Sequence, residues 1–346
     1  MVKRILFLQS EIHNYHISLL KEIVYEYGFS VDVIYQDLDT QTTYVPPTIE
    51  GVTFIGKSHF HSYKELKMFV KNKKYILVRT SGWSNKNYVR LSRLLKKSGV
   101  KIVVVSDTQW RNSLRQTVGA ILFGQFIKNS FSKIMVAGPY QYEYARKLGF
   151  KKKDIIFNNL SADTNVYNTL IVNEEYEKNF LYVGNLEKVK GTDLLLNAWA
   201  NIKDKKGWKL IIVGMGSYYN SVSDRDVIFK GYLQNTEISQ MMKNAGFFVL
   251  PSKSEQWGVV MHEAALSGLP ILCSDEIGSI PYFLIEGYNG FKFRTGDLDD
   301  LISKFNMILN IDDNQIFKMK INSLSLGNRI TTPISTASLM SVIKKF

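Results

Sequence analysis

The sequence predicts an α/β protein of two doubly wound domains, each a parallel sheet covered by helices on both faces. Three observations predict it. Short apolar runs alternate with helical patterns from Ile5 to Phe157. The alternation restarts at Phe180, after a stretch from Ser161 to Asn179 that holds no period. A chain of 346 residues suits about two domains, each large enough for its own core.

The elements follow in order. Met1–Ser10 is basic, then apolar. Its apolar part is too short for a signal peptide and no small-residue cleavage site follows, so it reads as the first buried strand. Further strands are expected at Val31–Tyr35, Val52–Ile55, Tyr75–Val78, Lys101–Val105, Lys133–Val136 and Asp154–Phe157. Helices are expected near His16–Tyr27, Asn87–Ser98, Arg111–Asn129 and Gln141–Leu148. The linker falls in Ser161–Tyr167 and the polar Asn173–Asn179, which divides the chain into domains 1–165 and 170–332. The second domain offers strands at Phe180–Val183, Leu210–Val213, Val227–Phe229, Phe247–Leu250 and Ile271–Cys273. Pro251 and Ser252 stop the fourth of these, and a helix over Val259–Ser267 is ended by Gly268 and Pro270. Thr331-Thr332-Pro333 marks a break before a short helix over Ser335–Lys345. Two such domains facing each other would open the crevices beyond their strand ends into one cleft.

Composition narrows the classes. The single cysteine, Cys273, excludes an internal disulfide and a thiolate metal cluster, and its apolar neighbours make it a core residue. No apolar run reaches the roughly 18 residues of a membrane span, so a cytoplasmic protein is expected. The net charge is +13, unevenly spread: Lys57 to Lys153 holds 22 Lys and Arg against Glu65, Asp107 and Glu143. That half attracts anions: nucleic acid, an anionic membrane surface or an acidic acceptor. Nothing resembles a nucleic-acid module, so no nucleic acid is expected. Leu114, Val118, Ile121, Leu122, Phe126, Ile127 and Phe131 share one helical face, with Arg111, Arg115, Lys128 and Lys133 around it. This face serves either core packing or a membrane interface. The histidines and acids show no metal-binding spacing.

The chemistry concentrates in Pro251–Pro270. Glu255 would lie beyond a strand's carboxyl end, where open α/β sheets bind ligands, and Glu263 would face the same crevice from the following helix. Carboxylates accept hydrogen bonds from paired hydroxyls, as on a sugar or ribose. Earlier, Gly184 permits close backbone approach at a strand end, and Lys190 precedes a helix start that suits a phosphate. Gly214-Met215-Gly216 supplies a second glycine turn after a strand; alone it is a weak fingerprint.

The full string Pro251-Ser252-Lys253-Ser254-Glu255-Gln256-Trp257-Gly258-Val259-Val260-Met261-His262-Glu263-Ala264-Ala265-Leu266-Ser267-Gly268-Leu269-Pro270 resembles the E-x7-E motif of retaining glycosyltransferases of family 4, which have the GT-B fold. Other matches come in the family's order: Phe180–Leu186 with Lys190-Gly191, Ile211–Gly216, Val227–Tyr232 and Gly287–Gly290. The likeness is strong from about Phe180 to Phe305 and weak before. It implies that Glu255 holds the donor sugar's hydroxyls, Glu263 holds the ribose, and Lys190 holds the diphosphate. Gly231, Tyr232 and Leu233 form the base-binding turn. Trp257, Gly258 and Val259 line the donor site, and Gly278 with Ser279 offers diphosphate-contacting amides. It further implies a nucleotide-sugar donor (UDP favoured, GDP possible), a glycan acceptor that is lipid-linked in bacterial surface-polysaccharide synthesis, no cofactor, no metal, and a last helix, 333–346, that packs on the first domain.

There are departures. The family's usual Arg after the first glycine is Asn185 here, with Arg294 and Lys188 as stand-ins, and its usual Glu four residues after Gly278 is Tyr282. The Gly-Gly loop after the first strand is replaced by Gln9-Ser10-Glu11-Ile12-His13. Asp107 follows a buried strand in a basic half and serves either catalysis or helix capping. Glu11, His13 and His16 are candidates for acceptor contact or, for the histidines, structural residues. Two rival readings therefore stand beside transfer: a catalytically degenerate nucleotide-sugar-binding partner, and a nucleotide-sugar epimerase. An NAD-dependent dehydrogenase is disfavoured for want of an acidic ribose reader after a full glycine fingerprint.

Overall fold

Every strand pairing within the two sheets is parallel among the described residues. This computed structural model describes residues 3–37, 45–169 and 172–343. The chain divides into two compact units, Met1–Ser161 with Thr332–Phe346, and Ala162–Thr331.

The first unit holds β1 (Arg4–Gln9), β2 (Ser30–Tyr35), β3 (Val52–Gly56), β4 (Tyr75–Ser81), β5 (Lys101–Ser106), β6 (Lys133–Val136) and β7 (Ile155–Ile156) in the order β3-β2-β1-β4-β5-β6-β7. The order reverses between β1 and β4, so a crevice opens beyond their carboxyl ends. Successive side chains point to opposite faces. Leu6, Leu8, Val78 and Val104 enter one core, and Ile5, Phe7, Leu77 and Val103 enter the other. Helices α1 (Asn14–Tyr25), α2 (Tyr63–Lys71), α3 (Lys86–Lys97), α4 (Leu114–Phe126) and α5 (Pro139–Lys147) cover the sheet.

Two charges lie within this sheet. Asp32, on β2, is fully buried and fully partnered: Tyr75 Oη donates at 2.6 Å, Lys73 Nζ at 2.9 Å and Arg4 Nη1 at 3.3 Å. Arg79, on β4, is 1% exposed.

Helix α4 is shorter than the expected Arg111–Asn129, and of the two roles left open for its apolar face, core packing is not the one its own residues take. Ala120 and Phe123 are its buried residues. Leu114 (86% exposed), Val118, Ile121, Leu122 and Phe126 face outward. Of the apolar face read from the sequence, these five residues therefore leave the core, while Ile127 and Phe131, after the helix, pack in it.

The second unit begins with α6 (Thr164–Tyr167), capped by Asp163, whose side chain accepts from the Asn165 amide at 3.0 Å. Part of the expected linker is thus helical, anchored by the buried Tyr167. Strands β8 (Glu177–Val183), β9 (Lys209–Val213), β10 (Val227–Gly231), β11 (Ala245–Leu250), β12 (Ile271–Ser274) and β13 (Gly290–Phe293) take the order β10-β9-β8-β11-β12-β13. Here the reversal lies between β8 and β11. Helices α7 (Thr192–Ala200), α8 (Asn235–Asn244), α9 (Val259–Leu266), α10 (Ile280–Phe283), α11 (Leu298–Ile308) and α12 (Asp313–Gly327) complete the unit. Aromatic rings centre its core, with Phe180 edge-on to Phe305 at 4.7 Å. Cys273 is buried in β12, and burial pushes its thiol pKa up.

Helix α13 (Thr332–Met340) returns to the first unit. It packs on α1, with Leu339 and Met340 buried beside Ile5 and Ile23. It starts one residue before the expected 333–346, with Pro333 in its first turn, where a missing N–H costs nothing, and it ends at Met340, since residues 341–343 form a turn. Residues 344–346 of the expected helix lie outside the described residues.

Candidate functional site

The second unit's chemistry gathers at its sheet reversal, where β8 and β11 end. Glu187 caps a single turn, Lys188–Lys190, that leads to Gly191. Gly191 has φ 73°, and a Cβ there would lie 2.0 Å from the Pro251 carbonyl oxygen. Glycine therefore lets the loop after β8 press against the end of β11. The amide of Lys253 donates to the Val189 carbonyl at 2.9 Å, joining the two loops. Lys190 and Glu255 are thereby brought together: Nζ donates to Oε2 at 2.6 Å. Both side chains are partly exposed, so the pair borders solvent.

The glycine turns are packed equally close. A Cβ on Gly214 would meet the Gly184 carbonyl oxygen at 1.9 Å, and one on Gly216 the Leu186 oxygen at 2.6 Å. Gly214 also donates to the Gly231 carbonyl at 2.8 Å. The ends of β8, β9 and β10 thus form one fastened edge, and the Glu187 carboxylate clamps it by accepting from the Ser217 amide and hydroxyl. Asn185 is exposed beside this edge, and its carbonyl accepts from Tyr182 Oη at 2.8 Å. Tyr232 stands 74% exposed after β10, with Leu233 half-buried.

Gly258, at φ 82°, opens α9, whose first residue is the half-buried Val259. Glu263 lies farther along the helix in a different setting from Glu255. Tyr167 donates a hydrogen bond to it and Asp163 lies near. Loss of hydration, reinforced by Asp163 and opposed by Tyr167, pushes its carboxyl up to about 7. The preceding His262 is fully buried. Its Nδ1 accepts from the Ala162 amide at 2.9 Å, which leaves the proton on Nε2 to donate to the Gly327 carbonyl at 2.9 Å. Burial holds its pKa down at about 4.

Three expected contacts are corrected. Trp257 is 2% exposed and packs against Tyr282 and Phe283, so its ring belongs to the core rather than to a ligand wall. The amides of Gly278 and Ser279 donate to the carbonyls of Glu255 and Trp257 at 3.2 and 3.1 Å. They hold the Glu255 loop in place and are not left for a diphosphate. Arg294 pairs with Asp297 at 2.9 Å and Asp300 at 3.5 Å, so it does not replace the cation missing at Asn185. Lys188 is exposed on the loop that bears Lys190. A cation that the sequence reading passed over, Lys253, sits on the Glu255 loop and pairs with Asp193 at 2.9 Å.

The first unit has its own cavity, of about 410 Å³, at the carboxyl ends of β1, β4 and β5. Its lining includes Glu11, His13, His16 and Asp107, and also Tyr15 and Arg79. Ser10 donates its amide to Ser81 Oγ at 2.8 Å, holding the β1 and β4 ends together. His16 is buried, and its Nδ1 accepts from the His13 amide at 3.1 Å, fixing the start of α1. Burial, with Arg79 and His13 adding to it, holds its pKa well below the usual range. It is a structural residue that also lines the cavity. His13 approaches Glu11 at 3.5 Å on the rim, and Asp107 is exposed there. Arg79 carried a readable signal: a charge inside a run that a parallel sheet buries on both faces.

Among the described residues no group of three or more His, Cys, Asp or Glu is placed to hold a metal ion. No helix among them is long and apolar enough to cross a membrane.

Comparison with known proteins agrees with this layout. Residues 171–322 match the family model described as "Glycosyl transferases group 1". A sulfoquinovosyl transferase of Arabidopsis thaliana is 32% identical over 137 residues, 38% of this chain and 26% of that protein. An uncharacterized 41.2 kDa protein in the cps region of Klebsiella pneumoniae is 25% identical over 231 residues, 61% of this chain and 62% of its own. The chain therefore spans less than two thirds of either curated relative. The solved structure of Anabaena HepE, in complex with UDP and glucose, superposes with a TM-score of 0.72 at 16% identity, covering 98% of each chain. Two doubly wound parallel-sheet units and this likeness give the chain the GT-B fold. The match to the model of glycosyl transferases group 1 lies within the second of these units.

Proposed function

We propose that the protein is a retaining glycosyltransferase of family 4. It would move a sugar from a nucleotide diphosphate sugar to an acceptor hydroxyl on a growing glycan. The observation that carries the reading is the Lys190–Glu255 pair at 2.6 Å, at the reversal of the second sheet. The cation suits the leaving diphosphate and the carboxylate suits the sugar hydroxyls. In the paired state each keeps the other's charge compensated until the donor arrives. Glu263 accepts from the ribose hydroxyls, and the turns at Gly184, Gly214 and Gly231 hold the ends of β8, β9 and β10 together. The protein then contributes orientation and stabilisation of the departing charge. UDP is the favoured nucleotide, supported by the UDP complex of the Anabaena structure.

The acceptor is proposed to be lipid-linked, in polysaccharide, lipopolysaccharide or capsule synthesis on the cytoplasmic face of the membrane. The outward apolar face of α4, in a unit rich in Lys and Arg, supports peripheral contact with an anionic bilayer. Asp107, exposed at the mouth of the first unit's cavity, is the candidate to assist the acceptor hydroxyl.

Nucleotide release from UDP-, GDP-, ADP- and TDP-sugars tests this, with and without a membrane lipid extract, for the parent and Glu255→Ala. Release of one nucleotide, rising with the extract and lost in the variant, is expected. Binding without release from any donor would instead favour a non-catalytic binding partner, the reading that Asn185 in place of a cation supports.

A further inference from the structure

The first unit buries one charge with three partners and another without a counter-charge. Asp32 shows how this sheet treats a structural charge: three donors saturate it. Arg79, two strands away on β4, is equally buried, yet only Nη2 is engaged, donating to Asn159 Oδ1 at 3.0 Å. Its Nε and Nη1 are buried with no hydrogen-bond partner, and among the described residues it makes no ion pair. The guanidinium centre lies 5.3 Å from the Phe7 ring, which offers a weak cation–π contact and no counter-charge. An uncompensated buried cation is costly and persists only where something offsets it.

Arg79 also lines the 410 Å³ cavity, within the roughly 300–1,000 Å³ of small-ligand sites. Beside it are Gln9, whose Nε2 is likewise buried without a partner, and the polar groups of Ser10, Ser81 and Tyr15. The two acids of the lining, Glu11 and Asp107, are exposed at its rim.

We propose that this cavity is an oxyanion site, in which Arg79 supplies the charge that selects an acceptor bearing a carboxylate or phosphate on the sugar it presents. The inference rests on the transferase reading for the word acceptor, and on the cavity alone for the binding. The missing counter-charge belongs to the ligand, so the site is completed only when occupied. A neutral sugar of the same size leaves Arg79 as it was. Burial lowers the Arg79 pKa to about 10, which still leaves it charged at neutral pH.

The test is direct binding to the full chain, without donor, using glucuronate, glucose 6-phosphate, inorganic phosphate and glucose. Calorimetry and thermal shift provide the readout for the parent, Arg79→Met and Arg79→Lys. Binding by one or more of the anions but not by glucose is expected. Loss of the charge in Arg79→Met should weaken it about ten- to a hundredfold, while Arg79→Lys retains part of it. Glucuronate alone would identify a sugar carboxylate as the source, and the phosphate compounds alone a phosphate. If Arg79→Met does not fold, the arginine Nε resonance of the parent, assigned through Arg79→Lys, must move with the anions and not with glucose. Equal binding of glucose, unchanged anion binding in a folded Arg79→Met, or no anion binding by the parent overturns the proposal. Donor turnover is measured separately: its absence removes the transferase reading and leaves the anion result standing.

Discussion

Lys190 and Glu255, 65 positions apart in the chain, meet at 2.6 Å because glycine at 191 lets one loop lie on the carbonyl of Pro251. A charge-assisted contact of this kind contributes about 1.5–3 kcal/mol. Lys190→Ala should therefore raise the donor KM about ten- to a hundredfold, with Glu255→Ala abolishing most turnover. The double variant should lose less than the sum, since each residue also holds the other in place. Additive losses in the kinetic cycle would separate the two roles.

The close turn at Gly214 predicts a structural failure with a functional readout. A methyl group there would overlap the Gly184 carbonyl oxygen at 1.9 Å, and the φ of 136° is strained for any other residue. Gly214→Ala should cost about 1–3 kcal/mol or more and weaken nucleotide binding, because the β8 and β9 ends must part. Denaturant unfolding and nucleotide titration check it together. An unperturbed variant would mean the turn has slack.

Neighbouring His262 and Glu263 give opposite pH dependences. Glu263 titrates near 7 folded against 4.5 in its ordinary state, so its contribution favours the folded protein at low pH and is lost as pH rises through that window. His262 titrates near 4 folded against 6.5, so its contribution is present at higher pH and is lost as pH falls from 6.5 through 4. Between 4.5 and 6.5 the two slopes oppose each other. Thermal melts of Glu263→Gln should expose the histidine slope, with stability falling in acid more steeply than in the parent. If Glu263 accepts from a ribose, nucleotide affinity in the parent should also tighten as pH rises through 7, and flatten in the variant.

The outward face of α4 should bind bilayers. Replacing Leu114, Ile121 and Phe126 by Ser removes large apolar groups that are 86%, 57% and 65% exposed. Folding stability should change by no more than about 0.5 kcal/mol per site. Sedimentation with vesicles containing phosphatidylglycerol should fall at least about tenfold, and release from soluble donors should persist. Unchanged sedimentation would assign the face another role.

Much of the fold is legible because a doubly covered parallel strand is a continuous apolar run, as in Phe247–Leu250. The elements that escape lack that signal. Helix α2 buries only Leu66 and Val70, and β13 is a four-residue strand interrupted by Lys292. At the site, residue types and order are readable, but which atoms are already engaged is not. The string at Gly278-Ser279 suggests free amides, and only the coordinates show them bonded to Glu255 and Trp257. The outward turn of α4 is likewise invisible in the sequence, since a periodic apolar face has the same spacing whichever way it points.

The return of α13 to the first unit bears on how the protein is made. Leu339 and Met340 seal a core whose other walls, Ile5, Ile17 and Ile23, come from the first few dozen residues. During vectorial synthesis, at about 5–20 residues per second, that face stays uncovered while the whole second unit emerges and folds. The amino-terminal half must wait, with an apolar groove open, for α13 to leave the ribosome. Truncation within α13 should therefore show first as aggregation of nascent chains, before any loss of nucleotide binding by the second unit.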